Sequence, residues 1–158
     1  MTQLQHGDDI DRIMAVMRQA FAPEFGEAWT RPQVEGALMM GNCHYHLIDS
    51  EGQPAADGVE AVGFALLRQT LDEAELLLFA VAPQQRRRGL GKRLLALVCD
   101  RLAAEGAVQL LLEMREGNPA EHLYRGAGFL AVGRRPKYYR SATGDRLDAI
   151  TFTLPIVS

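Results

Sequence analysis

The sequence predicts an α/β (α+β) fold in which helices cover both faces of a single mixed, mostly antiparallel central sheet. Three observations lead there. Two amphipathic helical patterns open the chain, short strand-forming stretches follow, and from Ala74 onward strand and helix signals alternate. A chain of 158 residues suits one domain, 1–158, and no repeat or composition break marks a second. At this size roughly 68–70% of the unfolded surface is buried on folding, so neither disulfides nor a structural metal is needed.

Asp8 or Asp9 is placed to cap a first helix whose apolar residues Ile10, Ile13, Met14, Met17 and Phe21 keep helical spacing, ending before Pro23. Thr30 and Gln33 form a capping-box pattern, with Pro32 in the first turn and Val34, Leu38 and Met39 on one face of a short second helix. Cys43 to Ile48 and Val62 to Leu67 are rich in strand formers. Asp49-Ser50-Glu51-Gly52 supplies turn chemistry between them, and Gln53 to Glu60 extends the hairpin loop. Ala74 to Val81 is a nearly continuous apolar run stopped by Pro83, as expected of a mid-sheet strand covered on both faces.

Leu90, Leu94, Leu97, Val98 and Leu102 mark one face of a helix that stops at Gly106. Val108 to Met114 is another apolar strand. Asn118 opens the next helix, with Pro119 first and Glu121 placed to close a capping box, and Gly126 and Gly128 end it. Phe129 to Gly133 reads as a strand, and Leu147 to Leu154 as a last one in which Ile150, Phe152 and Leu154 alternate with threonines.

Composition narrows the function. A net charge of -3 and a pI near 5.8 argue against nucleic-acid binding over the whole surface. Cys43 and Cys99 lie far apart, without the spacing of a thiolate zinc site, and Cys99 reads as a small core hydrophobe rather than a catalytic thiol. His44 and His46 form an HxH without an evident third ligand and read as solvent-facing, as does His122, so no metal is expected. Met1 to Ile10 lacks the pattern of a signal peptide and nowhere do ~18 apolar residues run together. The expectation is a cytoplasmic protein that engages no membrane, as a monomer or weak dimer.

The informative segment is Arg86-Arg87-Arg88-Gly89-Leu90-Gly91-Lys92-Arg93, five of whose eight residues are basic, between a buried strand and an amphipathic helix. Glycines at 89 and 91 let backbone approach a ligand, and free N–H groups at a helix start form an anion site, for which diphosphate is the natural guest. The spacing is neither a Walker loop nor the dinucleotide fingerprint. By its residues alone the segment also fits a solvated arginine turn or a local nucleic-acid patch.

The pattern Arg86-x-x-Gly89-x-Gly91 after Phe79-Ala80-Val81-Ala82-Pro83 resembles the GNAT superfamily of acetyl-CoA-dependent N-acetyltransferases. The likeness runs from about Glu73 to Pro155 and includes Leu111-Leu112-Glu113-Met114-Arg115, Asn118, Leu123-Tyr124, Gly128-Phe129, Tyr138-Tyr139 and Asp148-Ala149-Ile150. Within the superfamily it is most similar to the RimI-type ribosomal-protein-alanine N-acetyltransferases. Residues 1 to about 70 match in helix-helix-strand outline and around Phe25 and Trp29. Asn118 and Tyr124 stand one residue closer than in the RimI-type pattern, and Arg140 replaces the proline that commonly follows the tyrosine pair.

The resemblance implies a GNAT-like acyl-CoA N-acyltransferase fold in which Phe79, Ala80 and Val81 present backbone to the pantetheine arm of acetyl-CoA. Amides of Arg87, Arg88, Gly89, Leu90 and Gly91, with Arg86 and Lys92 beside them, would hold its pyrophosphate. Acetyl transfer from a thioester to an amine needs a neutral amine, a polarised carbonyl and a proton for the departing thiolate. An α-amine titrates near ~7.7–8.0 against ~10.4 for lysine, so a protein N-terminus asks less of the base.

Glu113 is the candidate base. It interrupts an apolar strand, where burial favours the protonated form of a carboxylate, and the resemblance puts it on the catalytic glutamate; by itself it also fits a carboxylate paired with Arg115 or another arginine. Tyr124 is the candidate acid, a phenol near ~10 able to protonate a thiolate whose thiol is near ~8.5, and equally a core aromatic beside Leu123 and Phe129. Asn118 resembles a cofactor-contacting asparagine, but a helix cap explains it equally. Tyr138 and Tyr139 fit either an acceptor groove or hairpin packing.

The expected function is direct acetyl transfer from acetyl-CoA to a primary amine, on the N-terminal amine of a (ribosomal) protein. The alternatives are a small-molecule amine or lysine as acceptor, and, in another class, a non-catalytic acyl-CoA-sensing or nucleic-acid-binding module.

Overall fold

Asp9, expected as a cap, lies inside the first helix. The computed structural model describes residues 2–21 and 26–157, residues 2–7 by backbone alone, so Pro23 and Phe25 fall outside the described residues. Helix α1 runs Thr2–Ala20. Asp9 is buried, accepts from the Tyr45 hydroxyl and pairs with Arg12 at 2.6 Å. With those partners its carboxylate does not have to seek free amides at a helix start. Arg12 also donates to the carbonyls of Ala56 at 2.8 Å and Val59 at 2.7 Å, which ties α1 to the long loop after the first strand.

Helix α2, Arg31–Met39, forms the expected capping box: the Gln33 amide donates to Thr30 Oγ1 and the Thr30 amide to Gln33 Oε1. Val34 is fully buried and Leu38 packs beside it, but Met39 is 86% exposed. It lies about 100° round the helix from Leu38, on the solvent side.

Strands β1 (Cys43–Ile48), β2 (Gly63–Thr70) and β3 (Glu73–Val81) form an antiparallel meander. The Asp49 side chain accepts from the amides of Glu51 and Gln53 and closes the expected turn. After a 3₁₀ turn at Pro83–Gln85 come α3 (Leu90–Ala104), β4 (Gln109–Arg115), α4 (Glu121–Gly126), β5 (Leu130–Arg140) and β6 (Arg146–Pro155). The sheet order is β1-β2-β3-β4-β6-β5, with β3 and β4 the parallel neighbours and every other pair antiparallel, as predicted.

Two apolar layers sandwich the sheet. On one face α1 and α2 pack Ile13, Val16, Met17 and Val34 against Phe64, Leu66 and Leu78. On the other, Leu94, Val98 and Leu102 of α3, with Tyr124 and Phe129, cover Leu67, Leu110 and Phe152.

Three further expectations are corrected. β5 extends beyond Gly133 to Arg140, because an exposed edge strand needs no apolar face and its basic residues hide the pattern. The Asn118–Glu121 capping box does not form: Glu121 pairs with Arg125, while Asn118 Oδ1 accepts from the Ala120 amide at 2.9 Å. His44 and His46 are half-buried rather than solvent-facing, and burial lowers the pKa of both, His46 to about 4. Among the described residues no third side chain joins them as a metal-binding cluster. His122 is exposed, and Cys99 is half-buried against the core, where burial raises its thiol pKa.

Candidate active site

β3 and β4 begin as neighbours and then part. Pairing runs from Glu73 with Gln109 to Leu76 with Leu112 and stops. At the same level β3 carries an extra residue against β2: Leu66 faces Leu78 and Leu67 faces Leu76, which leaves Leu77 as a bulge. A bulge bends its strand and increases local twist, which turns Leu77–Val81 away from β4. Beyond Leu76 no strand among the described residues pairs with the β4-facing edge of β3. Glu113 is the first residue of β4 past the parting point, held on its other side against Thr151 of β6.

The opening is a cavity of about 290 Å³. It brings together Phe79 of β3, Glu113 of β4, Tyr124 of α4, Asn118 and Tyr139. Phe21, Glu27 and Trp29, from the chain between α1 and α2, line it as well. Two sequence candidates for chemistry, Glu113 and Tyr124, therefore share one cavity although they come from different elements.

Glu113 is not dry. Its side chain is 25% exposed, Arg135 Nε lies 3.4 Å from Oε2, and Thr151 Oγ1 donates to the same oxygen at 3.4 Å. The arginine pairing that the sequence left open is thus present, with Arg135; Arg115 instead holds Glu27 at 3.2 Å. Tyr124 is buried, its ring edge-to-face with Phe79 at 6.0 Å and with Phe129 at 5.5 Å. Burial first, and the nearby Glu27 carboxylate second, push its phenol well above the usual range. The core-aromatic role and a place on the cavity wall coexist in one side chain. Burial, with Glu113 and Glu27 nearby, likewise raises Tyr139, to about 12, whereas Tyr138 is mostly exposed.

The basic turn lies between the end of β3 and α3. Arg87 has φ 66° and Gly89 φ 76°, two left-handed residues that leave successive amides directed outward. Among the described residues no protein acceptor takes the backbone N–H of Arg87, Arg88, Gly89, Leu90, Gly91 or Lys92. These are the donors an anion requires at the start of a helix of fifteen residues. Gly91 is needed for packing: a Cβ there would stand 3.3 Å from Leu123 and 3.9 Å from Phe79, so α3 closes tightly on α4 and on the cavity wall.

The arginine side chains divide. Arg87 and Lys92 are exposed, Arg88 bonds Gln85 and the Ser50 carbonyl, and Arg86 turns to the carbonyls of Val81 and Ala20. Ala80 and Val81 are buried in β3. Asn118 lines the cavity while its Oδ1 shapes the approach to α4. Sequence reasoning missed Glu27, whose only signal was an acidic residue beside Trp29, and Phe21, which it assigned to helix packing.

Residues 14–129 match the acetyltransferase (GNAT) family. Over 94 residues the chain is 45% identical to the [ribosomal protein bS18]-alanine N-acetyltransferase of Salmonella typhimurium, covering 59% of this chain and 63% of that protein. It is 38% identical over 91 residues to the Haemophilus influenzae protein of the same name, covering 58% and 62%. These alignments thus span less than two thirds of either relative. The crystal structure of the ribosomal-protein-S18-alanine N-acetyltransferase from Escherichia coli superposes with a TM-score of 0.79 at 30% identity, covering 95% of this chain and 89% of that one. With most of its length matched by the family, and a parted β3–β4 pair beside a helix start whose amides are free of protein acceptors, this chain belongs to the GNAT acetyltransferases.

Proposed function

We propose that this protein transfers an acetyl group from acetyl-CoA directly to the N-terminal α-amine of a protein whose first residue is alanine, in the cytoplasm. The observation that carries the reading is the shared cavity at the parted strands, with Glu113 and Tyr124 on its wall and the unpaired edge of β3 leading to the basic turn.

The residues fit the cosubstrate. The free edge of Leu77–Val81 offers backbone to the two amides of the pantetheine arm, and the amides of Arg87 to Lys92 offer donors to its pyrophosphate. Bound acetyl-CoA supplies the activated acyl carbon. Glu113 accepts a proton from the incoming ammonium, directly or through one water. The neutral nitrogen forms the new amide bond as the carbon–sulfur bond breaks. Tyr124 gives its proton to the departing sulfur, and the second proton, shed by the nitrogen as the amide forms, returns through water to the Tyr124 oxygen, leaving an amide, a free thiol and a neutral phenol.

Alanine at the acceptor position is supported by the names of the relatives to which this chain is similar. Release of free thiol with a peptide beginning in alanine, the acetyl group located on its α-nitrogen by mass spectrometry, is the expected result. Preferential transfer to lysine or to small amines would replace this acceptor assignment, and coenzyme A binding without turnover would overturn the enzymatic reading.

The turn makes its own prediction. Gly89→Val places a β-branched residue at φ 76°, a conformation L residues reach at a cost of roughly 1–3 kcal/mol. The turn then gives up its left-handed step, and the dissociation constant for coenzyme A, measured calorimetrically, rises about tenfold or more. An unaltered constant would remove the pyrophosphate from this turn.

A further inference from the structure

We propose that Arg86 is a positioning residue that straps the part of the cavity lined by Phe21, Glu27 and Trp29, where we place the acceptor, to the diphosphate turn. The resemblance assigns Arg86 to the cofactor, but its guanidinium points elsewhere. Nε donates to the Val81 carbonyl at 3.1 Å and Nη2 to the Ala20 carbonyl at 3.0 Å. Val81 ends β3 and Ala20 ends α1. The last carbonyls of a helix lack intrahelical donors and carry the negative end of its dipole, so a cation is favoured there. Serving two carbonyls at once needs the rigid fork of arginine, which a lysine ammonium does not reproduce.

Ala20 is followed by Phe21, which lies on the cavity wall with Glu27 and Trp29. Arg86 is followed by Arg87, the first left-handed residue of the turn. One side chain therefore links a segment that lines the cavity with the segment expected to face the pyrophosphate. An anion that orders the turn fixes the backbone of Arg86, and the strap carries that order to Phe21. By reciprocity, each ligand then tightens the other.

The kinetic test rests on the acetyl-transfer reading; a second arm does not. Arg86→Met keeps the length and apolar stem of the side chain and removes both donors. Its KM for an alanine-initiated peptide rises about five- to tenfold, at the low end of usual coupling factors, while kcat and the coenzyme A dissociation constant change by less than about twofold. Arg86→Lys recovers part of the loss. An unchanged acceptor KM, or a matching rise in the coenzyme A constant, overturns the strap, the latter in favour of direct phosphate binding.

Amide hydrogen exchange around Arg18 to Phe21 tests the link without turnover. Coenzyme A slows exchange there in the wild type and not in Arg86→Met; equal slowing in both overturns the proposal. A wild-type protein that transfers no acetyl group would end the enzymatic reading and leave the strap to this second arm. If Arg86→Met does not fold, Arg86→Lys carries both measurements, with a smaller rise in acceptor KM and a slowing of exchange weaker than in the wild type, and wild-type values in both overturn the strap.

Discussion

Glu113→Gln lowers kcat for an alanine-initiated peptide about 10²-fold near pH 7, the loss expected when a positioned general base is removed. The deficit shrinks as pH rises. Below about pH 8 the α-amine is mostly an ammonium and depends on Glu113 to lose its proton; above it solution has already done this work. Glutamine keeps the shape of the side chain and can retain the Thr151 contact, while the Arg135 ion pair is lost from a partly exposed site where such pairs contribute little. Folding and coenzyme A affinity therefore persist. A kcat profile from pH 6 to 10 that superposes on the wild type would remove Glu113 from the chemistry.

Tyr124→Phe also loses about 10²-fold in kcat, through slower departure of the thiolate. The ring contacts with Phe79 and Phe129 survive the substitution, so the melting temperature moves by only a few degrees. Burial and Glu27 raise the phenol pKa, which keeps the hydroxyl protonated through the working range. Ionisation of this group accordingly produces no fall in the wild-type rate below about pH 10. A variant with full activity and unchanged affinity would return Tyr124 to a packing role alone.

Much of this was legible in the sequence. The capping box at Thr30 and Gln33, the apolar run into Pro83, the α3 stripe and the basic glycine turn are all local, set by residues a few positions apart. The turn is also where the family pattern is densest, which is why the resemblance could name the candidate site. Local reading failed where a partner from elsewhere decides the outcome. Asp9 resembles a cap until Tyr45 and Arg12 claim it, and the basic residues of β5 show no strand pattern because its pairing partner, β6, supplies the register.

The sequence by itself determined the order of helices and strands, the mixed sheet and the basic glycine turn, because periodicity, capping and left-handed glycines act over short range, while the family resemblance singled out Glu113 and Tyr124 among the candidates. The parting of β3 from β4 was decided only in three dimensions. Within Leu76-Leu77-Leu78 no residue marks a bulge; it arises from how β2 and β3 settle into register. The same holds for Glu27 reaching Arg115 across 88 positions and Arg86 reaching Ala20 across 66. Such contacts depend on where separate elements come to rest, and no window of neighbouring residues contains that information.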